Sequence, residues 1–202
     1  MLDNGVLPRR RISWILVAAV SGLPLLWFAW AWLTYPSDRT PEGAYLRVMS
    51  AINRDRPEEF FAYLETAAQH AAYTIRDYRR KSRELVLADY PEPERQRLAQ
   101  AYAVHANAPD GADVFAAFAK ERGWVERLRR DMSGIDHVDQ QGDRATVQTV
   151  RGTRYPFRRR ENGIWGLTIF TAELVSEAEK AARDHSVIEK SAADYRRARA
   201  SR

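Results

Sequence analysis

The spacing of apolar residues along this chain changes three times. From Ile12 to Leu33 the run ISWILVAAVSGLPLLWFAWAWL carries no charge over 22 residues. At about 1.5 Å per helical residue this length matches a hydrocarbon core of roughly 30 Å, so the pattern predicts one transmembrane helix. Pro24, which lipid-embedded helices tolerate, and the aromatics Trp27, Trp30, Trp32 and Tyr35 toward one end favour the same reading. Ala29-Trp30-Ala31 offers a competing one, a signal peptide cut after Ala31. The apolar stretch is longer than the roughly 7 to 15 residues usual for such leaders.

After a linker at residues 34–40 the apolar positions take helical spacing. Thr40-Pro41-Glu42 supplies a capping hydroxyl, a proline for the first turn and an acid beside it, and Tyr45, Val48, Met49 and Ile52 follow on one face. A second start is expected at Asp55-Arg56-Pro57-Glu58, with Phe61, Leu64, Ala68, Ala71, Ile75 and Tyr78 marking the next face. Pro91 and Pro93 interrupt before a weaker stripe at Leu98, Tyr102 and His105. Two short helices, Val114 to Phe118 and Trp124 to Met132, are parted by Gly123.

Beyond Gly134 the period falls to two, with turns at Gln141-Gly142, Gly152 and Asn162-Gly163. Ala145, Val147 and Thr149 share a face, as do Tyr155 and Phe157, and Trp165, Leu167 and Ile169. This predicts an antiparallel meander. Pro156 is expected at an edge or a bulge. From Thr171 a helix resumes, with Leu174, Ala178, Ala181, His185, Ile188, Ala192 and Tyr195 spaced 4-3-4-3-4-3. That stripe can pack along its own domain or pair two copies of the chain.

Helices that precede strands argue α+β. The organisation expected is a basic N-terminus at 1–11, a transmembrane helix at 12–33, a linker at 34–40, helices on a curved, cone-like antiparallel sheet at 41–170, and a long C-terminal helix with a basic tail at 171–202. Arg9, Arg10 and Arg11 stand before the uncharged run, while Asp38, Arg39 and Glu42 follow it. The positive-inside rule then sets the N-terminus in the cytoplasm and the folded part outside the inner membrane.

Composition narrows the chemistry. There is no cysteine among the 202 residues, which excludes disulfides, thiolate metal sites and cysteine nucleophiles. The net charge of +5 includes the arginine run at the N-terminus, and the remainder is too mildly basic to imply nucleic acid. No glycine-rich phosphate loop or cofactor motif occurs.

Gly142-Asp143-Arg144-Ala145-Thr146-Val147, then Gly152, Tyr155 and Phe157, then Glu161-Asn162-Gly163-Ile164-Trp165, resembles the sheet of the nuclear-transport-factor-2-like superfamily. Ala51-Ile52-Asn53-Arg54-Asp55, with Phe60 and Leu64, is similar to its first helix pair. The resemblance covers about Pro41 to Phe170. It implies a cone of sheet and helices, a fold that hosts isomerases, cyclases, transport factors and scaffolds alike.

An enzyme of that kind needs an acid or histidine at the mouth of the sheet, and the compact candidate is Asp136-His137-Val138-Asp139. On a strand His137 and Asp139 share a face, so the carboxylate can orient the imidazole as a general base. A solvated strand beside a turn is the plainer reading. His70 and His105 have no metal-ligand partner at i+3 or i+4, and His185 has only Glu189 at i+4. Alternation groups Arg154, Arg158 and Arg160 as a basic patch suited to lipid headgroups or an acidic partner. The function expected is a non-enzymatic, membrane-anchored domain that binds or scaffolds a partner in the bacterial envelope. The alternative is a tethered small-molecule binder or isomerase-type enzyme that uses the cone as its pocket.

Overall fold

A computed structural model describes residues 36–201 of the chain. The Thr40 hydroxyl accepts from the Gly43 amide at 3.2 Å and so caps helix α1 (Pro41–Asn53), whose Tyr45, Val48 and Ile52 are fully buried. The second expected helix divides. Pro57–Tyr63 forms a 3-10 turn, Leu64 is extended, and α2 begins afresh at Thr66, running to Asp89. The break exists because Leu64 bridges in parallel to Leu167, and the Glu65 amide donates to the Leu167 carbonyl at 3.1 Å. Tertiary pairing overrides the helical period there.

Three shorter helices follow: α3 (Glu94–Ala106), α4 (Gly111–Glu121) and α5 (Trp124–Asp131). Asp110 and Asp113 form a reciprocal capping box at the start of α4. Gly123, with φ of 62°, turns the chain between α4 and α5 in a left-handed conformation that glycine adopts without steric penalty.

Strands β1 (Ile135–Gln141), β2 (Arg144–Thr149), β3 (Arg154–Arg159) and β4 (Trp165–Leu167) make one antiparallel sheet in the order of the chain. Ala145, Val147, Thr149, Tyr155, Phe157, Trp165 and Leu167 are buried on the helical side. Ile169 lies beyond the end of β4 and is exposed, so it does not share the face expected of it. Pro156 is on an inner strand rather than an edge. Odd-numbered residues of β3 bond toward β2, as the Arg159 amide does to Asp143, while the Pro156 carbonyl accepts from the Thr168 amide on the opposite side. Its missing N–H therefore faces the end of the short β4, where no ladder bond is lost.

Helix α6 (Thr171–Ala200) lies parallel to α2. Arg79 meets Asp184 at 2.7 Å, the Ser82 hydroxyl sits 3.2 Å from His185 Nδ1, the Tyr90 hydroxyl donates to the Ile188 carbonyl, and Arg199 reaches Asp89. The far ends of α2 and α6 join α3 in a small second core of Val86, Tyr90, Ala99, Ile188 and Ala192.

The fold class expected from the sequence is corrected in one respect. Among the described residues no helix is long and apolar enough to cross a membrane. Even α6, 30 residues long, intersperses its narrow apolar seam with charged side chains. The expected transmembrane segment at 12–33 and the arginines Arg9, Arg10 and Arg11 lie outside the described residues. The described fold is α+β: helices on one face of a four-stranded antiparallel sheet, closed by a long C-terminal helix.

Candidate functional site

Glu65 sits where the 3-10 turn, α2, β4 and α6 converge, and it is only 8% exposed. One carboxylate oxygen accepts from Arg158 Nη1 at 2.9 Å and the other from the Thr171 hydroxyl at 2.8 Å. A single acid thus ties the start of α2 to β3 and to the start of α6. Next to it, Gly166 packs so closely that a Cβ there would fall 2.7 Å from the Leu64 carbonyl oxygen and the Glu65 nitrogen.

Two depressions flank the Glu65–Arg158 pair. A groove of about 630 Å³ runs between the start of α2 and the β3–β4 hairpin, lined by Thr66, His70, Arg158, Arg159, Arg160 and Asn162 among others. A hollow of about 350 Å³ opens on the uncovered face of the sheet beside Arg144, Thr146, Pro156 and Thr168. Arg160 fixes the wall of the groove: Nη1 donates to the Ala62 carbonyl at 2.6 Å and Nη2 to Gln69 Oε1 at 3.0 Å. Its Nε is buried with no acceptor. Burial lowers the Arg160 pKa from its ordinary value.

The structure rearranges the expected basic patch. Arg158 and Arg160 share the groove, but Arg154 points its Nε at Gln148 Oε1, 3.2 Å away, toward the other end of β3. The residue opposite Arg158 is Arg144. Sequence alternation along one strand cannot find such a cross-strand neighbour. Glu65 leaves no comparable local signal, because its burial arises from contacts 93 and 106 residues away in sequence.

His137 and Asp139 are not brought together as the candidate dyad. A bulge between Ile135 and His137 sets the imidazole beside Asp136, with Nδ1 3.0 Å from the carboxylate, and both side chains are more than half exposed on the edge strand. Asp139, opposite Thr146, is also exposed and makes no side-chain hydrogen bond. The C-terminal stripe is occupied within the chain: Leu174, Ala178, Ala181, Ile188 and Ala192 are buried, with His185 and Tyr195 packed against Tyr78 and Tyr90 of α2 and its end. Among the described residues no group of three or more acids and histidines is placed to hold a metal ion.

Aromatic rings fill the space between sheet and helices. Trp124 stacks on Phe170 at 4.4 Å, and Phe115 meets Phe60, Trp124 and Phe170 at 5.1, 5.9 and 5.7 Å. No protein-family model, curated protein or solved structure matches this chain.

Proposed function

We propose that this domain is a non-enzymatic binding or scaffolding unit of the bacterial cell envelope, related to the nuclear-transport-factor-2-like superfamily. The observation that carries this reading is the interlocked cluster of Phe60, Phe115, Trp124 and Phe170. In a cone that works on a small molecule the same region must admit substrate and present polar groups to it. Here close-packed rings occupy it, and polar chemistry is displaced to the uncovered sheet face. Support for the superfamily rests on helices followed by an antiparallel meander with one covered face. Placement outside the cytoplasm rests on Arg9–Arg11 ahead of the uncharged residues 12–33.

The full chain, purified in mild detergent, should retain a stoichiometric protein partner that Arg144→Glu on the open sheet face releases without changing the melting temperature. His137→Ala should leave that complex intact. A phenotype abolished by His137→Ala with folding unchanged would overturn the non-enzymatic reading. A green-fluorescent fusion after Arg202 should be dark, and fluorescence from it would refute the placement.

A further inference from the structure

The two edges of the sheet differ. β4 is three residues long, and Leu64 and the Glu65 amide pair with Leu167 along it. β1 is seven residues long and, among the described residues, pairs only with β2. It carries no lysine, arginine or proline, the residues that commonly blunt such an edge. Asp136, His137, Asp139, Gln140 and Gln141 are exposed and Val138 is half-buried. The bulge at Asp136 disturbs only the beginning of the strand.

The phase of the ladder tells which backbone groups of β1 are free. β2 turns its odd-numbered residues toward β3, as the Thr149 amide shows by donating to Thr153 and the Asp143 carbonyl by accepting from Arg159. Its even-numbered residues therefore bond to β1, where His137, Asp139 and Gln141 stand opposite Gln148, Thr146 and Arg144. Val138 and Gln140, opposite Val147 and Ala145, are left with N–H and C=O pointing out of the sheet.

We propose that this edge pairs with the β1 edge of a second copy of the chain, antiparallel about Val138, so that two four-stranded sheets join into one. Ladder bonds need outward-facing residues opposite one another, which allows a two-fold axis at Val138, Asp139 or Gln140. Centred on Asp139, the pairing sets that carboxylate against its own copy, and like charges directly opposite are destabilising. Centred on Gln140, it sets Val138 against the turn at Gly142. Centred on Val138, the strand is self-complementary. Val138 meets Val138 on the helical side of the sheet, and His137 faces Asp139 of the second copy, twice, on the open side. Asp139 makes no side-chain hydrogen bond within its own chain, so its acceptors are available to that imidazole. Asp136 falls opposite uncharged Gln140. The contact is isologous and closes at two copies, because each β4 edge is already occupied by Leu64. An edge of this length buries less than a standard interface, so association is weak and rises with concentration. The inference does not rest on the binding or scaffolding role proposed above.

The natural chain contains no cysteine, so introduced thiols report the register without background. Full-length His137→Cys chains, mixed in mild detergent with tagged Asp139→Cys chains under a gentle oxidant, should form a disulfide between tagged and untagged chains. Directly opposed residues lie about 4.5 to 5.5 Å apart at Cα, within the span a disulfide bridges. Val138→Cys should crosslink to itself. Because Val138 also packs on the core, the exposed pair is the decisive one. Gln141→Cys alone should stay uncrosslinked, since Gln141 faces Ile135 of the second copy. Sedimentation equilibrium of the cysteine-free chain in density-matched detergent should show mass rising with concentration toward two chains. Gln140→Pro removes an outward N–H without breaking a bond to β2, and should weaken that association at least about tenfold with the melting temperature nearly unchanged. Asp139→Lys should also weaken it, and adding His137→Glu to the same chain should restore it. Since the backbone ladder carries the contact, loss of the imidazole alone weakens the dimer without abolishing it. Failure of the His137→Cys and Asp139→Cys chains to crosslink, an equal yield at Gln141→Cys, or an unchanged association constant in Gln140→Pro would refute the pairing. Preferred crosslinking of Asp139→Cys to itself would refute the register.

Discussion

The carboxylate of Glu65 and the guanidinium of Arg158 meet at 2.9 Å although 93 residues separate them, and the acid is 8% exposed while Arg158 is 45% exposed at its side chain. The pair is therefore half open to water. Its Coulombic part is screened, and the larger cost of losing Glu65 is the loss of two hydrogen bonds to a charged acceptor. Glu65→Ala should destabilise the domain by about 2 kcal/mol. A double-mutant cycle with Arg158→Ala should return a coupling of about 1 kcal/mol or less. Denaturant unfolding that shows no loss for Glu65→Ala would contradict the anchoring role.

Gly166 supplies a sharper test of the same junction. Any side chain there meets backbone rather than a movable side-chain tip, at 2.7 Å. Gly166→Ala must push β4 away from Leu64 and Glu65 and should cost about 1 to 3 kcal/mol. If the variant melts with the natural protein, the close approach is wrong.

Trp165 is 2% exposed and its indole N–H donates to the Arg39 carbonyl at 3.0 Å. Trp165→Ala removes both the ring and that bond, for an expected loss of about 3 to 5 kcal/mol. Circular dichroism melts give the answer directly.

The C-terminal stripe yields a prediction about mass. Ile188 is buried against the second core, within the same chain. Ile188→Glu should lower the melting temperature while light scattering reports an unchanged mass. A shift from dimer to monomer with the fold intact would instead mean that the seam pairs between chains.

His105 gives the stability a pH dependence of known sign. Its ring stacks on Phe118 at 4.5 Å and its Nε2 is buried without a partner. Burial, with help from Arg79, lowers its pKa below the ordinary 6.5. The folded state thus holds fewer protons than the unfolded one in the window just below 6.5, so stability is full above that value and declines as pH falls toward the lowered pKa. His105→Leu should flatten this decline. An identical pH profile in both proteins would exclude the residue as its source.

Local chemistry made much of the fold legible. The Thr40-Pro41-Glu42 start, the helix break at Gly123 and the turns at Gly142, Gly152 and Gly163 are short-range signals, and the elements lie where those signals predict. The alternation of Ala145, Val147 and Thr149 likewise identified the buried face, because a strand repeats every two residues whatever covers it. The sequence by itself also determined what chemistry was absent, through the lack of cysteine, and where charge was withheld, at residues 12–33.

Tertiary structure decided the rest. Leu64 leaves its helical stripe because Leu167 offers a backbone partner, and Pro156 tolerates an inner strand because β4 ends beside it. The 4-3 stripe of α6 is ambiguous in sequence because a seam specifies a facing helix without specifying whose; α2 of the same chain supplies it. Arg154 leaves the expected patch and Arg144 stands across from Arg158, since β2–β3 register is a property of two strands together. Glu65 acquires its buried position, and Arg160 its two fixing hydrogen bonds, only from residues distant in sequence, which is why periodicity, a one-dimensional signal, could not single them out.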